Sequence, residues 1–311
     1  MPITVVGSIA FDTVTTPFGK RERMVGGAAT HFALAASFFD EVRVVGPVGD
    51  DFGADARALL ATRETNLEDV EHVKGGTSFF WAGEYGWDLN TRETLDTQLG
   101  VFETFNPRLS TAAGQADVVF LANIQPVVQR HVLDQCEGAR FVALDSMNLW
   151  IDIARADLFD VIGRVDCVIL NDAELRQLTE RPSLVSAARE VLAWGPSVVV
   201  AKQGEYGAAL VTSEGFFSLP AYPLESVVDP TGAGDTFAGG FVGYLARHLE
   251  GAGDVATLRR AMAYGTALAS FNVEEFGTDR VARLTAAEIH DRVADLQDMT
   301  RFEHARVELV G

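Results

Sequence analysis

Short runs of β-branched and aliphatic residues alternate along the chain with stretches in which apolar side chains recur every three or four positions. The runs at 3–7, 42–45, 116–121, 141–145, 166–170 and 197–201 carry almost no internal polar residue. A strand can dispense with polar positions when both of its faces are covered, the situation of a parallel sheet sandwiched between helices. Helical spacing fills 28–38, 54–62, 127–136, 175–179, 183–194, 257–271 and 285–296. The alternation predicts an α/β fold: a three-layer α/β/α domain around a central, mostly parallel sheet. Segments 208–212 and 216–219 are too close for a crossover and predict an antiparallel hairpin.

Two segments break the alternation. Positions 13–25 carry Pro17, Gly19 and the charged run Lys20-Arg21-Glu22-Arg23, which reads as a hairpin or excursion. In 77–107, Phe79, Trp81, Gly83, Tyr85 and Trp87 fall at period two, on one face of an extended segment, with Phe80, Ala82, Glu84, Gly86 and Asp88 on the other. No repeat or low-complexity linker divides the chain. The prediction is one domain over 1–311 with 12–26 and 77–107 inserted as a small β lid.

Composition narrows the class. Hydrophobic residues make up 48% of the 311, ample for a core, yet no run approaches the ~18 apolar residues of a membrane span. The start, Met1 to Ser8, lacks a basic flank and reads as a strand rather than a signal peptide. Cys136 and Cys167 show no metal spacing and read as reduced thiols of a cytoplasmic protein. A net charge of −19 argues against nucleic acid or an anionic membrane as partner. If such a protein holds a polyphosphate, it must do so locally, through backbone amides, a metal and a few arginines.

The chemistry concentrates in Val228-Asp229-Pro230-Thr231-Gly232-Ala233-Gly234-Asp235, which leads into a helical pattern from Phe237. A glycine-rich turn at a helix start leaves backbone N–H groups without intrahelical partners, and the macrodipole favours an anion in front of them. Asp235 stands at the rim of that anion site. The expectation is a carboxylate kept ionised there, able to take a proton from an alcohol lying between it and a phosphate. Phosphoryl transfer to a hydroxyl is the simplest chemistry for the arrangement. Upstream, Asn171-Asp172-Ala173-Glu174 opens a helix, and by itself is equally a capping box.

The contiguous pattern Asp229-x-Thr231-Gly232-Ala233-Gly234-Asp235 resembles the signature of the ribokinase (PfkB) family of sugar and nucleoside kinases. Further segments resemble the family in the same order: Asp12 after the first strand, the pair Gly26-Gly27, the turn Gly49-x-x-x-Gly53, Asp145 with Asn148, Asn171-x-x-Glu174, and Lys202-x-Gly204. The resemblance implies a catalytic group made of Asp235 and the amides of Gly232, Ala233 and Gly234. It places the acceptor on Asp12, Gly26 and Gly27, with His31 where many members carry Asn, and with Trp81 of the aromatic stripe as a stacking surface. It assigns the nucleotide to Lys202, Gly204, Thr231 and Asn272, and Mg²⁺ to Asn171 and Glu174 through water. A monovalent cation, K⁺, is implied at Asp229.

The expected activity is transfer of the γ-phosphate of ATP to a hydroxyl of a sugar or nucleoside, with a slight lean to nucleoside from His31 and the stripe. The alternatives are a free-sugar kinase and a non-catalytic sugar or nucleotide sensor on the same scaffold. A homodimer formed through the lid is the expected assembly.

Overall fold

The computed structural model describes residues 1–63 and 65–303. Its strands, in chain order, are β1 (Ile3–Val6), β2 (Ala10–Thr16), β3 (Gly19–Gly26), β4 (Val42–Val48), β5 (Thr65–Asn66), β6 (Val70–His72), β7 (Phe79–Tyr85), β8 (Arg92–Gln98), β9 (Val118–Leu121), β10 (Phe141–Asp145), β11 (Cys167–Asn171), β12 (Val198–Lys202), β13 (Ala208–Thr212) and β14 (Gly215–Leu219). Most join one large sheet in the order β14-β13-β12-β11-β10-β9-β1-β4-β5, with β6 beside the end of β4. From β12 to β4 the pairs are parallel; the β12–β13–β14 edge is antiparallel.

The unbroken apolar strands follow from burial on two faces. Alternate residues of β9 enter different cores: Val118 and Phe120 join one, Val119 and Leu121 the other. The first core is closed by the helices Ala28–Ala36, Ala233–Arg247 and Val255–Asn272, where the rings of Phe32 and Phe120 stack 4.2 Å apart. The second is closed by helices bearing Val128, Leu158, Leu175 and Val191. Burying a leucine- or phenylalanine-sized side chain contributes roughly 1.5–3 kcal/mol, so these cores hold the sheet rigidly under its C-terminal edge. In open α/β sheets that edge is where ligands bind.

The lid is a second sheet of order β3-β2-β7-β8. Asp12 lies inside strand β2, opposite Met24 on one side and Trp81 on the other, rather than in a turn after β1. The second inserted segment ends at Gln98, because Val101, Phe102 and Phe105 turn back into the body, where Phe79 meets Phe102 at 5.6 Å. The aromatic stripe therefore divides. Phe79 belongs to the core, Trp81 and Tyr85 line the inner face, and Trp87 is 91% exposed at the tip. Among the described residues no helix is long and apolar enough to cross a membrane.

Candidate active site

Gly232 precedes the helix Ala233–Arg247 in the left-handed conformation, φ 74°, and no side chain caps that helix. The Ala233 amide is engaged by the Pro230 carbonyl at 3.2 Å, so it is not free for a ligand. Among the described residues the Gly232 and Gly234 amides have no protein acceptor. Asp229 is wholly buried and ties the loop together, its two oxygens accepting from the amides of Thr231 and Gly277, each at 2.9 Å. Asp229 thus ties the loop to the turn at Gly277, after the helix Val255–Asn272.

Behind the loop lies a buried polar strut. Asn272 donates from Nδ2 to the Thr231 carbonyl at 2.8 Å, and its Oδ1 accepts from Thr236 Oγ1 at 3.0 Å. With the amide so oriented, His31 Nδ1–H donates to the same oxygen at 3.1 Å. Burial holds the His31 imidazole below its usual value, so it is neutral. A Cβ on Gly232 would stand 2.3 Å from the His31 ring, which means the loop rests directly on the imidazole.

Asn272 is fully buried with its side chain on Thr231, and His31, 2% exposed, lies against the loop from below. Their positions in sequence, on the helices flanking the loop, did not reveal which way they point.

The floor of the cleft is a charged cluster. Lys202 Nζ, at the end of β12, lies 2.7 Å from Asp145 Oδ2 at the end of β10. A Cβ on Gly234 would be 3.0 Å from that ammonium. Lys202 is thus turned onto Asp145 beneath the loop. Burial alone would lower its pKa, but the carboxylates of Asp145, Glu174 and Asp235 raise it.

Asn171 and Glu174 form the capping box: Asn171 Oδ1 accepts from the Glu174 amide, and Glu174 Oε2 from the Asn171 amide, both at 2.8 Å. The cap occupies one Glu174 oxygen; Oε1 has no hydrogen-bond partner among the described residues. Burial pushes Glu174 up to about 7, Asp145 adding to the rise and Lys202 opposing it.

Asp235 is pushed up to about 7, by burial first and by Asp145 second, against the pull of Lys202. In the free protein, loss of solvent thus works against the ionisation of Asp235 that the helix N-terminus favours. Asp12 is likewise raised to about 7 by burial; a hydrogen bond from the Gly27 backbone opposes this, and Asp229 and Asp235 add to it. Its seat requires glycine: a Cβ on Gly26 would lie 2.0 Å from Asp12 Oδ2.

The lid meets the body at two places that the sequence did not single out. Tyr85, 9% exposed, shares a hydrogen bond of 3.2 Å between its hydroxyl and Thr231 Oγ1. At the lid tip, Asn90 Nδ2 donates to Glu205 Oε1 at 3.1 Å, beside Gly204 at φ 57°. Trp81 lies with its indole against Gly83 and carries Arg92, whose guanidinium carbon is 5.2 Å from the ring centroid. The period-two stripe was the signal that could have found Tyr85.

The metal implied by the resemblance fits this donor set. Glu174, Asp235 and Asp145 crowd the Lys202 ammonium, and a divalent cation there would favour the ionised carboxylates that burial opposes. Among the described residues no three acidic, histidine or cysteine side chains form a cage; Mg²⁺ retains water and binds through few carboxylates.

Comparison with known proteins gives relatives in sequence and in fold. A cytidine kinase of Thermococcus kodakarensis is 30% identical over 256 residues, covering 79% of this chain and 89% of that protein. The fold is that of a nucleoside kinase of Methanocaldococcus jannaschii, described as an archaeal member of the ribokinase family (TM-score 0.76, 21% identity, 94% of this chain and 98% of that one). It is also that of the Arabidopsis thaliana ribokinase complexed with ribose and ATP (TM-score 0.75, 20% identity, 94% and 98%). Residues 3–283 match the family described as pfkB family carbohydrate kinase, and the chain belongs to that family.

Proposed function

We propose that this kinase transfers the γ-phosphoryl group of ATP to a hydroxyl of a nucleoside. The observation that carries the reading is the contact of the lid with the anion loop, Tyr85 to Thr231 at 3.2 Å, which brings Asp12 of lid strand β2 and Asp235 of the loop helix to one cleft. They come from opposite ends of the chain, yet the charge of Asp235 adds to the rise in the pKa of Asp12. An acceptor held by Asp12 then presents its hydroxyl to Asp235 and to the anion loop. The hydroxyl oxygen attacks the γ-phosphorus as its proton passes to Asp235. The bond to the β–γ bridging oxygen breaks, and ADP leaves with the electron pair. A base with a pKa near 7 is well matched to this task at neutral pH. The unpaired Gly232 and Gly234 amides stabilise charge on the group in transit. Glu174 beside Asn171 would hold Mg²⁺ through water, and the ion would neutralise the polyphosphate.

The nucleoside preference rests on the cytidine kinase relative and on the aromatic inner face of the lid. A free-sugar acceptor is the second reading; it is favoured by Arg92 lying over the Trp81 ring, which limits the indole surface left for a base. The test is a coupled ADP-release assay over cytidine, adenosine, guanosine, ribose, fructose and inositol, with and without K⁺. Turnover on nucleosides well above sugars is expected, and turnover confined to free sugars would overturn the nucleoside assignment. The K⁺ arm tests a cation site beside Asp229. Sedimentation of the purified protein tests a homodimer packed through the outer lid face, where Thr13, Arg23, Phe80 and Ala82 line an open concavity.

A further inference from the structure

We propose that Arg92 binds the phosphoryl group in transit, and that Trp81 positions it for that task; the inference rests on the kinase reading above. Arg92 opens β8 directly opposite Tyr85 of β7, so the two side chains share the inner face of the lid. Tyr85 in turn bonds Thr231 of the anion loop. The start of β8, with Arg92, is thereby held beside the loop.

Among the described residues Arg92 forms no ion pair; Arg21, Arg57, Arg63 and several other arginines share that state, but Arg92 alone of them stands opposite Tyr85 on the inner face of the lid. It packs instead on an indole, and its charge is felt by Asp12, Glu174 and Asp235, groups from both halves of the cleft. A cation without a carboxylate partner, on the lid face that meets the anion loop, is suited to a ligand oxyanion. Arginine offers planar paired donors for phosphate oxygens.

Trp81 holds it by a cation–π contact, and the indole itself lies so close to Gly83 that a Cβ there would stand 2.2 Å from the ring. The hairpin loop leading to Arg92 is fixed by Asp88, whose Oδ1 accepts from the amides of Asn90 and Thr91, both at 3.1 Å. The guanidinium is therefore delivered from an ordered strand start.

The experiment compares wild type, R92A, R92K, W81F, W81L and R92A/W81L by steady-state kinetics on the acceptor found above, with circular dichroism to match folds. R92A is expected to lower kcat by about 10³-fold, the low end for a cation on a transferring phosphoryl group. The acceptor KM should stay near wild type. R92K should retain part of the rate, and added guanidinium ion should restore part of the R92A loss, which a purely structural role would not allow. W81L should cost less than R92A, W81F less again, and the double variant no more than R92A alone, because Trp81 acts through Arg92. Wild-type kcat in R92A, full additivity in the double variant, or a loss confined to the KM of a phosphorylated acceptor would each overturn the inference while leaving the kinase reading intact. A wild type inactive toward every acceptor would remove the kinase reading and this inference with it.

Discussion

The Tyr85 hydroxyl lies 3.2 Å from Thr231 Oγ1, joining the lid to the anion loop across 146 positions of sequence. Thr231 is held from the other side by Asn272, so one residue connects the lid to the buried strut. Closure over the acceptor and the shape of the donor loop are thereby physically linked.

Tyr85→Phe removes that link while keeping the ring. A hydrogen bond of this kind contributes about 1 kcal/mol, so kcat/KM for the acceptor should fall roughly fivefold. Because a lid that closes less often excludes water less well, ATP hydrolysis without acceptor should rise. An unchanged hydrolysis-to-transfer ratio would show that the contact does not govern closure.

Asp235→Asn should reduce kcat by about 10²–10⁴-fold with ATP binding retained, as for loss of a general base. In wild type, kcat/KM should fall tenfold per pH unit below about 7, because the free enzyme must release a proton from Asp235 before it can accept one. Rate measurements from pH 5.5 to 8.5 test this; a flat profile would remove Asp235 as the base.

Stability should run the opposite way. Asp12, Glu174 and Asp235 are each raised to about 7 in the folded protein. The unfolded chain releases the same protons near pH 4. Between about 4 and 7 the folded state binds more protons, so these groups stabilise it at the acid end of that window and the contribution is lost as pH rises through 7. Asp12→Asn should flatten the dependence of melting temperature on pH across the window, and Mg²⁺ with ATP should also weaken it by favouring the ionised forms.

Asn272→Ala leaves Thr231 O, Thr236 Oγ1 and His31 Nδ1 buried without this partner, at about 1–3 kcal/mol for each group left unsatisfied. The melting temperature should drop by several degrees, and kcat should fall with it as Thr231 shifts. A raised KM for ATP at wild-type stability would instead restore Asn272 as a nucleotide contact.

Much of the architecture was legible from the chain because its causes are local. The two-faced apolar strands, the helical spacing between them and the tight 208–219 hairpin each follow from periodicity over a few residues. The anion loop was legible for the same reason: its glycines and acids are contiguous, and a helix start exposes amides whatever surrounds it. What needed the tertiary structure was everything set by direction and desolvation. Lys202 reaches Asp145 from a neighbouring strand end, and His31 and Asn272 point inward beneath Gly232. Asp235 titrates near 7 because neighbours from distant strands exclude its solvent. Tyr85 reaches Thr231 only because the lid folds down onto the loop. Residue identity and spacing determine which groups are available. Packing decides which of them meet, which lose water, and hence which carry charge.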